Sequence, residues 1–168
     1  HEIPARIIVR TEERGLSTAV IRGIDEAVGK YIVVMDCDLS HPATAIPHMV
    51  EKLKTNEADF VVGSRYVEGG SFDEDWGFFR LLNSKVATWL ALPLCHVKDP
   101  MSGFFIINKK VFKKCEKKLF NKGYKILADI VLCNKNIKIK EVLINFKKRK
   151  RDKSKMGIRI LIILLYFF

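Results

Sequence analysis

Apolar runs alternate with amphipathic stretches along most of this chain, and the alternation predicts strands followed by helices. RIIVR (Arg6–Arg10) is a short strand candidate. Leu16, Ala19, Val20, Ile24, Ala27 and Val28 recur at helical spacing, and Gly29 is placed to stop that helix. Tyr31–Met35 is a continuous apolar run of strand length and reads as a buried parallel strand. From Pro42 to Lys54, Ile46, Met49, Val50 and Leu53 line one face of a helix, and Asp59–Gly63 follows as a second buried strand. Residues 64–77 form a polar, glycine-bearing loop longer than most connections, of the kind that carries function. Beyond it the pattern predicts a helix over Phe78–Leu92, a strand over Phe104–Ile107, a short helix over Lys110–Lys118, a helix over Ile126–Cys133 and a strand over Ile137–Ile144. Such alternation implies an α/β fold, a mostly parallel sheet with flanking helices.

Composition adds a direction to this picture. The chain has 168 residues, enough for one domain with a real core, and 48 % are hydrophobic and 29 % charged, which excludes a disordered chain. The formal net charge of +11 favours a polyanionic partner: nucleic acid, an acidic membrane surface or phosphorylated small molecules. The charge is uneven, with most acids in residues 12–75 and a dense run of lysines in 109–155. Cys37, Cys95, Cys115 and Cys133 lie far apart without a CxxC pair, which argues against a zinc site or a disulfide framework and for a reducing compartment. The chain begins at His1 and ends inside an apolar run, Ile160–Phe168, shorter than the roughly 20 residues a membrane span needs. Both ends predict a piece of a longer protein.

The candidate chemistry starts at MDCDLSHP, where Asp36 and Asp38 follow an apolar strand. In a parallel α/β sheet, ligands bind beyond the carboxyl ends of the strands. Two carboxylates at i and i+2 of an extended backbone share a face, and with Ser40 they suit a hard divalent cation such as Mg²⁺. The alternative is that Asp38 or Ser40 caps the helix starting near Pro42. At the next strand end stands GSRY (Gly63–Tyr66), where Arg65 has the fork to grip a phosphate, or else pairs on the surface with Glu68 or Asp73. The third segment is KDPMSGF (Lys98–Phe104): Pro100 pushes Asp99 away from helical backbone, which makes either a turn alone or a carboxylate near the reacting centre. His41 is either a phosphate contact or a surface histidine at a helix start. Trp76, Phe78 and Phe79 are either core packing or a lid, and Lys113, Lys114, Lys117 and Lys118 a solvated face.

Taken in order, these segments resemble the dolichyl-phosphate mannose synthases, family 2 inverting glycosyltransferases with the GT-A fold. The resemblance runs through GLSTAVIRGIDEAVGKYIVVMDCDLSHP, DFVVGSRYVEGG, Arg80 to Lys85 as R-x-x-x-S-[KR], DPMSGFFIINKKVF, KGYKILADIV and RDKSKM. It implies transfer of mannose from GDP-mannose to a dolichyl or polyprenyl phosphate, with a UDP-glucose enzyme of the same group or a non-catalytic membrane-binding remnant as alternatives. By this resemblance Asp36 and Asp38, with Ser40, hold Mg²⁺ or Mn²⁺ and the donor diphosphate, and Cys37 contributes its backbone. Arg65, Arg80, Lys85 and Arg151 hold phosphates, Ser154 and Lys155 lie on the same loop as Arg151, and Asp99 orients sugar or acceptor. The chain departs from the family pattern where the N-terminal strand with its P-x-Y/N-E motif is expected, at Asp129, where a glutamate is common, and at the short C-terminal apolar segment.

The resemblance divides the chain into residues 1–146, a partial GT-A domain, and 147–168, a basic connector leading into the start of a membrane segment. KKRKRDKSK (Lys147–Lys155) holds seven basic residues before the apolar run, a pattern suited to the cytoplasmic face of a membrane. Without interleaved aromatics or a recognition helix, the same charge argues against a nucleic-acid partner.

Overall fold

The computed structural model describes residues 5–67, 71–72, 96–119, 126–134 and 136–146. The expected Phe78–Leu92 helix, most of the 64–77 loop, the basic connector and the apolar tail lie outside them. Helix α1 spans Leu16–Glu26, strand β1 Tyr31–Val34, helix α2 Ile46–Lys54 after a 3₁₀ turn at Ala43–Ala45, and strand β2 Phe60–Ser64. A short strand β3 (Ser71–Phe72) follows, then β4 (Phe105–Asn108), helix α3 (Lys109–Cys115) with a 3₁₀ turn at Glu116–Lys118, helix α4 (Ile126–Cys133), β5 (Ile139–Leu143) and β6 (Asn145–Phe146).

The main sheet has the order β1-β4-β2-β5. β1, β2 and β5 run in one direction, as strand–helix alternation requires, but β4 lies between β1 and β2 and is antiparallel to both. In this sheet β2 and β5 are the one parallel pair among the described residues. β1 reads from its sequence as a buried parallel strand. It is instead an antiparallel neighbour of β4, with Val33 exposed. β3 and β6 make a separate parallel pair.

The period of two along each strand sorts its side chains to the two faces of the sheet. Ile32, Phe60, Val62, Phe105 and Ile107 point to one face and pack with Ile24 of α1, Phe112 of α3 and Ile126, Leu127 and Ile130 of α4. Val61, Phe104, Ile106, Val142 and Ile144 point to the other and pack with Met49 and Leu53 of α2. The result is helices on both faces of a mixed sheet, the α/β architecture expected from the sequence.

Two local expectations are corrected. The RIIVR segment forms no strand: Ile7 and Val9 are exposed, and Arg6 and Arg10 tie it to α1 through the Glu26 carbonyl (2.7 Å) and Thr18 Oγ1 (2.8 Å). A strand needs a ladder partner, and none of the described residues pairs with it. Helix α1 ends at Glu26, before Gly29, with Ala27 already extended and Val28 fully exposed. Lys109 Nζ donates to the Asp25 and Ala27 carbonyls and so satisfies the end of this helix.

Close approach at Gly63 brings β2 against the segment entering β4. A Cβ there would lie 2.6 Å from Phe104 Cδ1 and 3.2 Å from Ile144 Cγ2, both in the packed core. Gly63→Ala is therefore expected to destabilise the fold by about 1–3 kcal/mol, the usual cost of overpacking. A lowered urea midpoint at unchanged slope would register it, and an unchanged midpoint would contradict the close packing.

Candidate functional site

The strand ends of β1 and β2, with the turn entering β4, carry the candidate site. β1 ends at Val34, and the chain turns through Cys37 and Asp38. The extended i, i+2 geometry assumed for Asp36 and Asp38 therefore does not hold. Leu39 takes up the turn with φ 64, a left-handed conformation uncommon for a branched apolar residue, and its side chain is exposed.

Asp38 Oδ1 accepts from the Ser40 amide (3.0 Å) and from Ser40 Oγ (2.5 Å), and Ser40 is fully buried. Neither residue caps a helix: the cap positions are Pro42 and Ala45, without side-chain cap bonds. Ser40, expected as a metal ligand, directs its hydroxyl hydrogen to Asp38 and so orients that carboxylate. Asp36 is half-buried, and its carboxylate lies against Gly103, where a Cβ would stand 3.6 Å from both oxygens. Cys37 between them is exposed.

Arg65, just past the end of β2, is paired with Asp99; Glu68 and Asp73, the partners of its surface reading, lie outside the described residues. Its Nε donates to Asp99 Oδ2 (2.8 Å), its NH2 to Oδ1 (2.7 Å) and its backbone amide to Oδ2 (3.1 Å). Asp99 is wholly buried and the Arg65 side chain is 10 % exposed. Burial by itself favours a neutral guanidinium, but the Asp99 hydrogen bonds and charge outweigh it, with smaller help from Asp36, and hold the arginine above its usual pKa. The Asp99 carboxylate, expected near the reacting centre, is the anchor of Arg65 here, since both of its oxygens are engaged.

The DPMS turn is built to hold that anchor. The Ser102 amide donates to the Asp99 carbonyl (3.2 Å), closing a turn with Pro100 at its second position. Ser102 Oγ donates to the Gly63 carbonyl (2.7 Å) and accepts from the Phe104 amide (3.2 Å). Sequence reasoning missed Glu141 of β5, whose carboxylate accepts from the amides of Lys98 (2.8 Å) and Asp99 (3.1 Å). Nothing in the local pattern marked it, since it lies 42 residues from Asp99 and meets it only through the β2–β5 pairing. His41 is not at the surface: it is 6 % exposed and stacked on Phe104.

Among the described residues no group of three or more His, Cys, Asp or Glu side chains is placed to hold a metal ion. Two half-buried carboxylates in one turn fit a hard cation that takes only one or two protein ligands and completes its shell with water and substrate phosphates. Arg80, Lys85, Arg151, Ser154 and Lys155 lie outside the described residues, as do Trp76, Phe78 and Phe79.

The family profile of glycosyl transferase family 2 matches residues 1–116. The dolichol-phosphate mannosyltransferase of Pyrococcus furiosus is 46 % identical over 157 residues, covering 91 % of this chain and 44 % of that protein. That of Saccharomyces cerevisiae is 39 % identical over 163 residues, covering 94 % of this chain and 60 % of its own length. The chain thus spans about half the length of the curated relatives it matches. In three dimensions it resembles glucosyl-3-phosphoglycerate synthase from Mycobacterium tuberculosis, in complex with phosphoglyceric acid, at a TM-score of 0.63 and 20 % identity, over 98 % of this chain and 56 % of that one. A crystal structure of the same synthase with Mn²⁺, UDP-glucose and phosphoglyceric acid gives a TM-score of 0.63 at 17 % identity, over 94 % of this chain and 56 % of that one. At these identities the structural likeness bears on the fold alone.

Proposed function

The chain belongs to glycosyl transferase family 2, and from that premise we propose that it carries the diphosphate-facing part of a polyprenyl-phosphate mannosyltransferase. The reaction is transfer of mannose from GDP-mannose to the phosphate of dolichol or a related polyprenol, with inversion at the sugar carbon. The observation that carries this reading is the 46 % identity to a dolichol-phosphate mannosyltransferase over 91 % of the chain, which takes in the acidic turn, Arg65 and the Asp99 turn. Two of the structural neighbours were crystallised with Mn²⁺ and a uridine nucleotide, which supports a divalent cation in this reading.

Asp36 and Asp38 would hold Mg²⁺ or Mn²⁺, which when bound neutralises charge on the leaving diphosphate. The Ser40 hydrogen bonds aim Asp38, and contact with Gly103 confines Asp36. Arg65 provides a fixed positive charge beside the acidic turn, and its plane is set by Asp99 before substrate arrives. Catalysis of this kind rests on positioning and charge stabilisation. The acceptor is itself an anionic phosphate, so no strong base is needed to make it a nucleophile. Arg80, Lys85, Arg151, Ser154 and Lys155 are proposed to complete the phosphate contacts. The basic 147–155 stretch and the apolar 160–168 run are proposed to hold the enzyme at the cytoplasmic face of a membrane, where a lipid-linked phosphate sits. Among the described residues no helix is long and apolar enough to cross a membrane.

The test is transfer of radiolabelled sugar to dolichyl phosphate in vesicles with Mn²⁺, using the full-length protein. GDP-mannose is expected to yield a mannosyl lipid. Label from UDP-glucose but not GDP-mannose would redirect the donor, and no transfer from either would defeat the reading. The site is tested separately at Cys37, which is exposed between the two aspartates. In a Cys95→Ser background, Mn²⁺ with GDP is expected to slow alkylation of Cys37. Cys115 is buried, which pushes its thiol up to about 11, and it is expected to stay unlabelled at neutral pH.

A further inference from the structure

We infer that His41 is a positioning residue that pins the Asp36 turn to the segment entering β4. The inference rests on the reading that Asp36 and Asp38 hold a divalent cation. The Asp36 amide donates to His41 Nδ1 at 3.1 Å. As an acceptor, Nδ1 carries no hydrogen, so the neutral ring has its proton on Nε2.

The ring is held from its face as well as from its edge. It stacks on Phe104 with centroids 5.1 Å apart and planes 18° from parallel, and Phe104 is completely buried. Phe104 is in turn fixed by its amide on Ser102 Oγ and by its carbonyl, which accepts from the Gly63 amide at 2.9 Å. Gly103 lies in the angle between ring and carboxylate, where a Cβ would be 3.6 Å from His41 Cε1 and 3.6 Å from each Asp36 oxygen.

A continuous path therefore runs from the Asp36 amide through the imidazole to Phe104 and Ser102, whose own amide bonds the Asp99 carbonyl. Asp99 orients Arg65. His41 thus couples the carboxylate side of the site to its arginine side. Deleting its acceptor nitrogen frees the turn that carries Asp36 while leaving both carboxylates in the chain.

The test measures Mn²⁺ affinity in the presence of GDP, by electron paramagnetic resonance of free Mn²⁺, on the full-length protein. His41→Phe keeps a ring against Phe104 and loses the acceptor. It is expected to weaken Mn²⁺ binding by about 10–100-fold, the usual effect of removing a group that orients a metal ligand. His41→Asn, whose side-chain oxygen can accept the same amide, is expected to recover most of that loss. Unchanged binding in His41→Phe, or equal loss in both variants, overturns the inference. If His41→Phe does not fold, the ¹⁵N shifts of the His41 ring in the unaltered protein decide: the Nε2–H form is expected, and an Nδ1–H form refutes the hydrogen bond. Failure of the unaltered protein to bind Mn²⁺ with GDP overturns the site reading itself, and is distinct from failure at His41 alone.

Discussion

Asp38→Ala is expected to lower mannosyl transfer by on the order of a thousandfold. A divalent cation at a leaving diphosphate contributes several kcal/mol of charge stabilisation, and each 1.36 kcal/mol is tenfold in rate. The alanine variant removes two things at once, the charge and the acceptor for Ser40. Asp38→Asn separates them, because its oxygen still accepts from the Ser40 amide and hydroxyl while the negative charge is gone. Both variants are expected to lose transfer and Mn²⁺ binding, and the asparagine variant is expected to keep the wild-type melting temperature. Full activity in Asp38→Asn would mean that the carboxylate only shapes the turn.

Asp99→Ala is expected to be the most destabilising substitution in the site, by about 3–5 kcal/mol, the usual cost of removing one member of a buried ion pair. Arg65 would retain its charge with only one-tenth of its side chain exposed and both of its side-chain bonds to Asp99 gone. The magnitude exceeds that of a surface pair, for which about 0–1 kcal/mol is usual. Sodium chloride should barely alter the difference, since buried pairs are weakly screened. Urea unfolding of the wild type, Asp99→Ala and the double variant Asp99→Leu/Arg65→Met provides the measurement. The double variant removes both charges, and it is expected to recover stability without recovering transfer. A double variant as unstable as Asp99→Ala would show that packing of the turn, not the stranded charge, sets the loss.

The acidic turn and the arginine were legible in the sequence because each sits at the end of an apolar run, and the ends of such runs in an α/β sheet are where ligands collect. The partners of these residues were not legible. Arg65 had acids nearby in sequence at Glu68 and Asp73, yet it pairs with Asp99, 34 residues away, because the turn entering β4 passes beside the end of β2. His41 looked like a surface residue at a helix start. It is buried because Phe104 stands in the segment entering β4, the strand inserted between β1 and β2.

By itself the sequence determined the α/β class, the positions of α1, α2, α4 and the four main strands, and the identity of the polar residues at the strand ends. Those follow from local periodicity, which the chain carries residue by residue. It also carried, in the order of its motifs, the resemblance to its glycosyltransferase family. Only the tertiary structure decided that RIIVR pairs with none of the described strands, that β4 runs against its neighbours, and that Asp99 and Glu141 are joined in support of Arg65. Strand order and long-range hydrogen bonds depend on which buried faces and backbone edges meet, and that choice is made by the whole core rather than by any window of the chain.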